Sequence, residues 1–190
     1  MIMKLKTLFA IILVTLLSTV AKAQDRFLRL SYTNATLTVT SQGVSLSGDM
    51  KGVSIDGGRT IDLRSPYPIY LDLDITYSLM GSDDTFLMSG ALAPSLMWRF
   101  INGPFEVAPY AGLNLTVHGI GQTTIHGQTY DLFDDDSEYG IFNQIMIGTQ
   151  MGVRVRYSKI FLQVSINPYL SKFGPYTKMH LFNIGLGYAF

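Results

Sequence analysis

His180-Leu-Phe-Asn-Ile-Gly-Leu-Gly-Tyr-Ala-Phe190 alternates residue by residue. His180, Phe182, Ile184, Leu186, Tyr188 and Phe190 share one parity; Leu181, Asn183, Gly185, Gly187 and Ala189 share the other. A β-strand has period two, so one face is bulky and mostly apolar and the other small or polar. A soluble sandwich would turn the bulky face inward. A membrane barrel turns it to lipid and keeps small and polar residues inside.

The same rhythm runs back through the chain. Tyr67, Ile69, Leu71, Leu73, Ile75, Tyr77 and Leu79 alternate with Tyr70, Asp72, Asp74, Thr76 and Ser78. Between Thr85 and Phe100, Phe86, Met88, Leu92, Leu96 and Trp98 oppose Ser89, Ala91, Ala93, Ser95 and Arg99. From Phe105 to His118, Val107, Ala111, Leu113, Leu115 and Val117 oppose Glu106, Tyr110, Gly112, Asn114 and Thr116. Ile145 to Tyr157 and Ile160 to Ile166 repeat the pattern, with Arg154 and Arg156 on the polar face.

Arg26–Leu63 carries two more strands. Leu28, Leu30 and Tyr32 change parity to Ala35, Leu37 and Val39, which predicts a bulge or turn near Thr33-Asn34. Asp56-Gly57-Gly58 reads as a turn. The total is eight strands. Asn102-Gly-Pro104 and Ser158-Lys159 are tight turns, Gly81–Asp84 is a short connection, and 119–140 is the longest polar one.

The N-terminus reads as a secretory signal: Lys4 and Lys6, an apolar core from Leu8 to Leu17, and a small-x-small site at Ala21-Lys22-Ala23, with cleavage expected before Gln24. That divides the chain into a leader, 1–23, and one β domain, 24–190. No later stretch reaches the 18 or so continuous apolar residues of a spanning helix. A membrane-spanning mature chain must therefore use strands that close on themselves, because lipid satisfies no open edge. With 14 basic and 14 acidic residues there is no charge argument for nucleic acid. Cleavage would leave 11 basic against 14 acidic. The absence of Cys excludes disulfides and Cys-bound metals.

The leader, the eight alternating strands and the terminal Gly185-x-Gly-Tyr188-Ala-Phe190 resemble the small OmpA-like barrels of the Gram-negative outer membrane. Ala108-Pro-Tyr-Ala-Gly112 and Gly152-Val-Arg-Val-Arg-Tyr157 resemble the fifth and sixth strands of that group. The resemblance implies an eight-stranded antiparallel up-and-down transmembrane barrel embedded in outer-membrane lipid. It also implies a C-terminal strand (Asn183, Gly185, Tyr188, Phe190) read by the barrel-assembly machinery. Unlike in longer OmpA relatives, no peptidoglycan-binding domain is expected after the barrel. Trp98, Phe100, Phe105, Tyr157, Tyr188 and Phe190 fall at one end, as an interfacial girdle would.

Six charges then face the interior: Asp72, Asp74, Arg99, Glu106, Arg154 and Arg156. They are read as an ion-pair network that fills a lumen just wide enough for side chains, in preference to a conduit. The acidic run Asp131, Asp134-Asp-Asp136 and Glu138 lacks the EF-hand order, with Tyr139 where Gly is required, and reads as a solvated outer loop open to an extracellular ligand. Lipid A deacylase barrels of similar size use a His and a Ser two residues apart, but none of His118, His126 and His180 is followed by x-Ser. No Walker loop, HExxH or GxSxG occurs, so no catalytic, cofactor or metal residues are assigned. The expected function is a structural or surface-interaction barrel. The alternatives are narrow porin- or OmpW-like transport and, less favoured, a lipid esterase.

Overall fold

The computed structural model describes residues 25–41, 43–134 and 142–190. The cleavage residues Ala21, Ala23 and Gln24 lie outside them, as do Asp135, Asp136, Glu138 and Tyr139. Ten strands occur among the described residues: β1 (Asp25–Ser41), β2 (Val44–Asp62), β3 (Ile69–Gly81), β4 (Thr85–Trp98), β5 (Phe100–Asn102), β6 (Phe105–Ile125), β7 (Gln128–Asp131), β8 (Ile145–Tyr157), β9 (Ile160–Pro168) and β10 (Thr177–Ala189). Eight staves make the wall, in the order β1-β2-β3-β4-β6-β8-β9-β10. β5 continues β4 past Arg99, and β7 folds back on β6. β4 pairs with β6 and β1 pairs with β10, all antiparallel, so the sheet closes. Closure removes the unpaired N–H and C=O groups that an open edge would carry.

Alternation decides which way each side chain points. Along β10, Phe182, Ile184, Leu186, Tyr188 and Phe190 are exposed, whereas Leu181, Gly185, Gly187 and Ala189 are buried. The same alternation of exposed and inward residues holds in β3, β4, β6, β8 and β9, giving an apolar exterior around an interior that is polar over part of its length and apolar over the rest. At the end carrying the short turns, Tyr67, Trp98, Phe100, Phe105, Tyr157, Tyr188 and Phe190 form an exposed aromatic ring. Trp98 stacks on Phe100 at 6.3 Å between ring centroids, and Tyr188 meets Phe190 at 6.0 Å.

Three expectations are corrected. β1 has no bulge near Thr33-Asn34, since its register runs unbroken against both β2 and β10. The parity change is real, but it marks a change of surroundings. Leu28, Leu30 and Tyr32 face outward; beyond Asn34 the outward positions become Thr36, Thr38 and Thr40, paired with Asp49, Ser47 and Ser45. Thr36 Oγ1 donates to Asp49 at 2.8 Å, and hydroxyl pairs continue up the hairpin. The apolar residues Ala35, Leu37 and Val39 now take the inner face. The strand has left the apolar band and entered water.

Asp56-Gly57-Gly58 is not a turn. It lies mid-β2, with Asp56 inside the barrel. A Cβ on Gly58 would lie 2.3 Å from the Leu73 carbonyl oxygen and 2.6 Å from the Phe27 ring, so the absent side chain admits Phe27. Lastly, 119–140 is not simply a loop. β6 runs on to Ile125 and turns at His126-Gly127 into β7, forming a second raised hairpin. Gly119 is the extra residue where Ser89 pairs with His118 but Met88 pairs with Ile120.

Candidate functional site: a layered lumen

The interior is stacked in layers along the barrel axis. At the short-turn mouth lie Asp25, Arg99, Glu106 and Arg156, one from each of β1, β6 and β8 and one from the step between β4 and β5. Arg99 donates to Asp25 at 2.9 Å and to Glu106 at 2.5 Å. Arg156 approaches Asp25 at 3.3 Å and Glu106 at 2.7 Å. Two guanidiniums and two carboxylates thus balance, and Arg99 also lies over the Tyr70 ring at 4.7 Å.

The middle layer holds Arg29, Asp56, Asp72, Asp74 and Arg154, all buried. Arg154 is fixed on every side: to Asp72 at 2.7 Å, to the Gln163 oxygen at 2.8 Å, and between the rings of Phe27 and Phe161 at 4.4 and 4.9 Å. The Gln163 amide N–H donates to the Tyr110 hydroxyl at 2.6 Å. Arg29 meets Asp56 at 3.0 Å and Asp74 at 3.6 Å. Hydroxyls complete the carboxylate shells, with Thr60 donating to Asp72 and Thr76 to Asp56, each at 2.6 Å. Such satisfaction is what makes buried ion pairs tolerable. Asp74 differs: both its oxygens are buried and accept no hydrogen bond, so the two arginines hold it by charge alone.

Above this the lumen turns apolar. Met50, Met80, Leu87, Met146, Phe173 and Met179 form one buried cluster. His118 sits among them, with Nδ1 2.7 Å from Ser89 Oγ and Nε2 3.2 Å from Met146 Sδ. Its ring stacks against Phe133 and meets Phe173 edge-on. A Ser–His pair alone is not a hydrolytic site, which needs an orienting group on the far nitrogen; here that nitrogen faces a thioether. Among the described residues no three His, Cys, Asp or Glu side chains gather as a metal site would require.

The six charges assigned from sequence all point into the lumen, divided between the two charged layers. Arg29, Asp56 and Asp25 complete those layers and were missed. Arg29, Ser31 and Thr33 alternate inward along β1, and Ser54 and Asp56 along β2, which was the available signal. Of the terminal strand, Asn183 faces inward with its amide 3.4 Å from Ser165 Oγ, Gly185 is buried, and Tyr188 and Phe190 face out. Asp131 accepts the Phe133 N–H at 2.9 Å, capping the turn after β7.

A closed antiparallel barrel with a greasy exterior, an aromatic ring at one end and ion pairs inside defines the class of small transmembrane barrels. Residues 9–190 match the outer membrane protein beta-barrel domain family, and the chain belongs to that family. It is an outer-membrane protein. Neisserial surface protein A is similar in structure, with 16% identity, TM-score 0.51, and coverage of 86% of this chain and 95% of that one. So is Ail, the attachment invasion locus protein of Yersinia pestis (11%, 0.53, 89% and 100%). So is the outer membrane enzyme PagL (12%, 0.51, 83% and 98%). At these identities the likeness is one of fold. No curated protein sequence matches the chain.

Proposed function

We propose that this protein is a sealed, non-catalytic outer-membrane barrel whose raised hairpins face outward for surface interaction. The lumen chemistry carries the reading. Two ion-paired layers and a methionine-rich layer lie in series, and eight staves leave only enough width for side chains. Arg154 alone spans from β8 to Asp72 on β3 and is packed between two aromatic rings. A path for ions would have to break that contact. The even-stranded wall, with its short turns at one end and its raised hairpins at the other, supports this orientation. The non-catalytic reading is supported by the Ser89–His118 pair, which is buried and lacks an orienting carboxylate.

Planar-bilayer recording tests the seal: the purified protein should give no steady conductance. A stable channel that disappears on mutating Arg154 would favour the transport reading instead.

A further inference from the structure

We propose that the outer end of the barrel is a blind cup for an uncharged, mainly hydrocarbon ligand. A cavity of about 270 Å³ lies there, lined by Leu37, Val39, Leu87, Ile125, Leu132 and Phe142, among others. An apolar cavity of ~150 Å³ holds benzene, so this space admits a larger hydrocarbon, such as a short alkyl chain.

Three observations point to that chemistry. First, the raised β1–β2 hairpin puts Thr36, Thr38, Thr40, Ser45 and Ser47 outside and its aliphatics inside. Leu37, Val39, Leu46 and Val44 share the inner face by cross-strand register. Leu46 is 71% and Val44 63% exposed, so the cup's wall continues upward as uncovered apolar surface. A hairpin standing in water gains nothing from that arrangement unless something apolar fills the space it faces.

Second, among the described residues no charged side chain lines the cavity; its polar groups there are the hydroxyls of Thr85, Thr123 and Thr177. Thr85 and Thr123 already bond each other at 3.1 Å. A charged ligand would lose its hydration there with no partner in return. Third, the floor is closed. Met50 and Phe173 belong to both the cavity lining and the buried methionine-rich cluster, and the ion-paired layers lie beneath.

Such a ligand can be a free molecule from the external medium or the end of an acyl chain from the surrounding lipid. The methionine methyls distinguish them. The mature chain, labelled with ¹³C at the methionine methyls, is placed in phosphatidylcholine nanodiscs and titrated with n-decanol. Met50 lines the cup, Met88 and Met151 are exposed on the lipid-facing wall, and Met97 is buried away from it. Met50 should shift saturably, Met88 and Met151 only in proportion to decanol in the bilayer, and Met97 not at all. Decanoate should bind at least tenfold more weakly. Val39→Trp, or Leu37→Phe if the first fails to give a heat-modifiable barrel, should abolish the Met50 shift. Nanodiscs carrying a phosphatidylcholine spin-labelled near its chain end give the second arm. Broadening of Met50 without decanol identifies the membrane's own acyl chain as occupant; a saturable shift without broadening identifies a free ligand. A Met50 signal that stays silent in both arms, or tracks Met88, or persists unchanged in the filled variants, overturns the proposal. Conductance reads the sealed lumen separately, so either reading can fail alone.

Discussion

Arg154 reaches both oxygens of Asp72, at 2.7 and 3.3 Å, and so ties β8 to β3 through the lumen. These staves are not neighbours in the wall. The contact therefore braces the cylinder from inside, where backbone hydrogen bonds only link adjacent staves. Arg154→Met strands Asp72 and Asp74 and should cost about 3–5 kcal/mol of stability. Adding Asp72→Asn should restore part of it. Urea unfolding in lipid, followed by Trp98 fluorescence, measures both; equal loss in single and double variants would deny the coupling.

The edge of the apolar band gives a second expectation. Leu113 faces lipid in mid-span, whereas Ser47 lies on the water-facing side of the raised hairpin. Leu113→Arg should destabilise the barrel by roughly 2–4 kcal/mol. Ser47→Arg should leave it within about 0.5 kcal/mol of the parent, as at an ordinary surface site. Reversed sizes would mean that the band is misplaced.

Gly187 faces the Phe161 ring so closely that a Cβ would lie 2.1 Å from it. Phe161 packs edge-on against Phe27, and the two rings hold Arg154. Gly187→Ala should therefore cost about 1–3 kcal/mol through displaced rings. Gly48→Ala, where nothing lies within 4 Å, should be silent in the same unfolding assay.

Phe190 separates assembly from stability. Its backbone N–H donates to the Arg26 carbonyl at 2.9 Å, but its side chain is 64% exposed. We propose that this side chain serves recognition by the assembly machinery. Phe190→Ala should keep the refolded protein's unfolding midpoint while lowering the heat-modifiable fraction recovered from cell envelopes several-fold. Equal recovery in cells would remove that role.

Alternation made most of the wall legible. From Leu71 to Leu79 in β3 and from Phe182 to Ala189 in β10 each outward residue is apolar and each inward residue is small or polar, so parity and surroundings agree. They part company above the apolar band. There water lies outside and other side chains lie inside, so Leu37 and Val39 invert the rule without any change in the backbone. A local pattern cannot distinguish that inversion from a slipped register, and a bulge was inferred where the strand is continuous. Asp56-Gly57-Gly58 misled for a related reason. Small and acidic residues suit tight turns, but they also suit a crowded interior where Asp56 meets Arg29 and Gly58 makes room for Phe27. The pairings of Arg29 with Asp56 and of Asp25 with Arg99 join distant segments, which no spacing along the chain reveals.

The seam between β1 and β10 pairs Phe27 with Ala189 and continues to Val39 opposite Thr177. The first stave to be synthesised thus waits for the last. Until then the polypeptide carries two raw strand edges and a coat of hydrocarbon side chains, which invites aggregation in any aqueous compartment it crosses. Joining the two ends of the sheet last is a demand made by the ring itself.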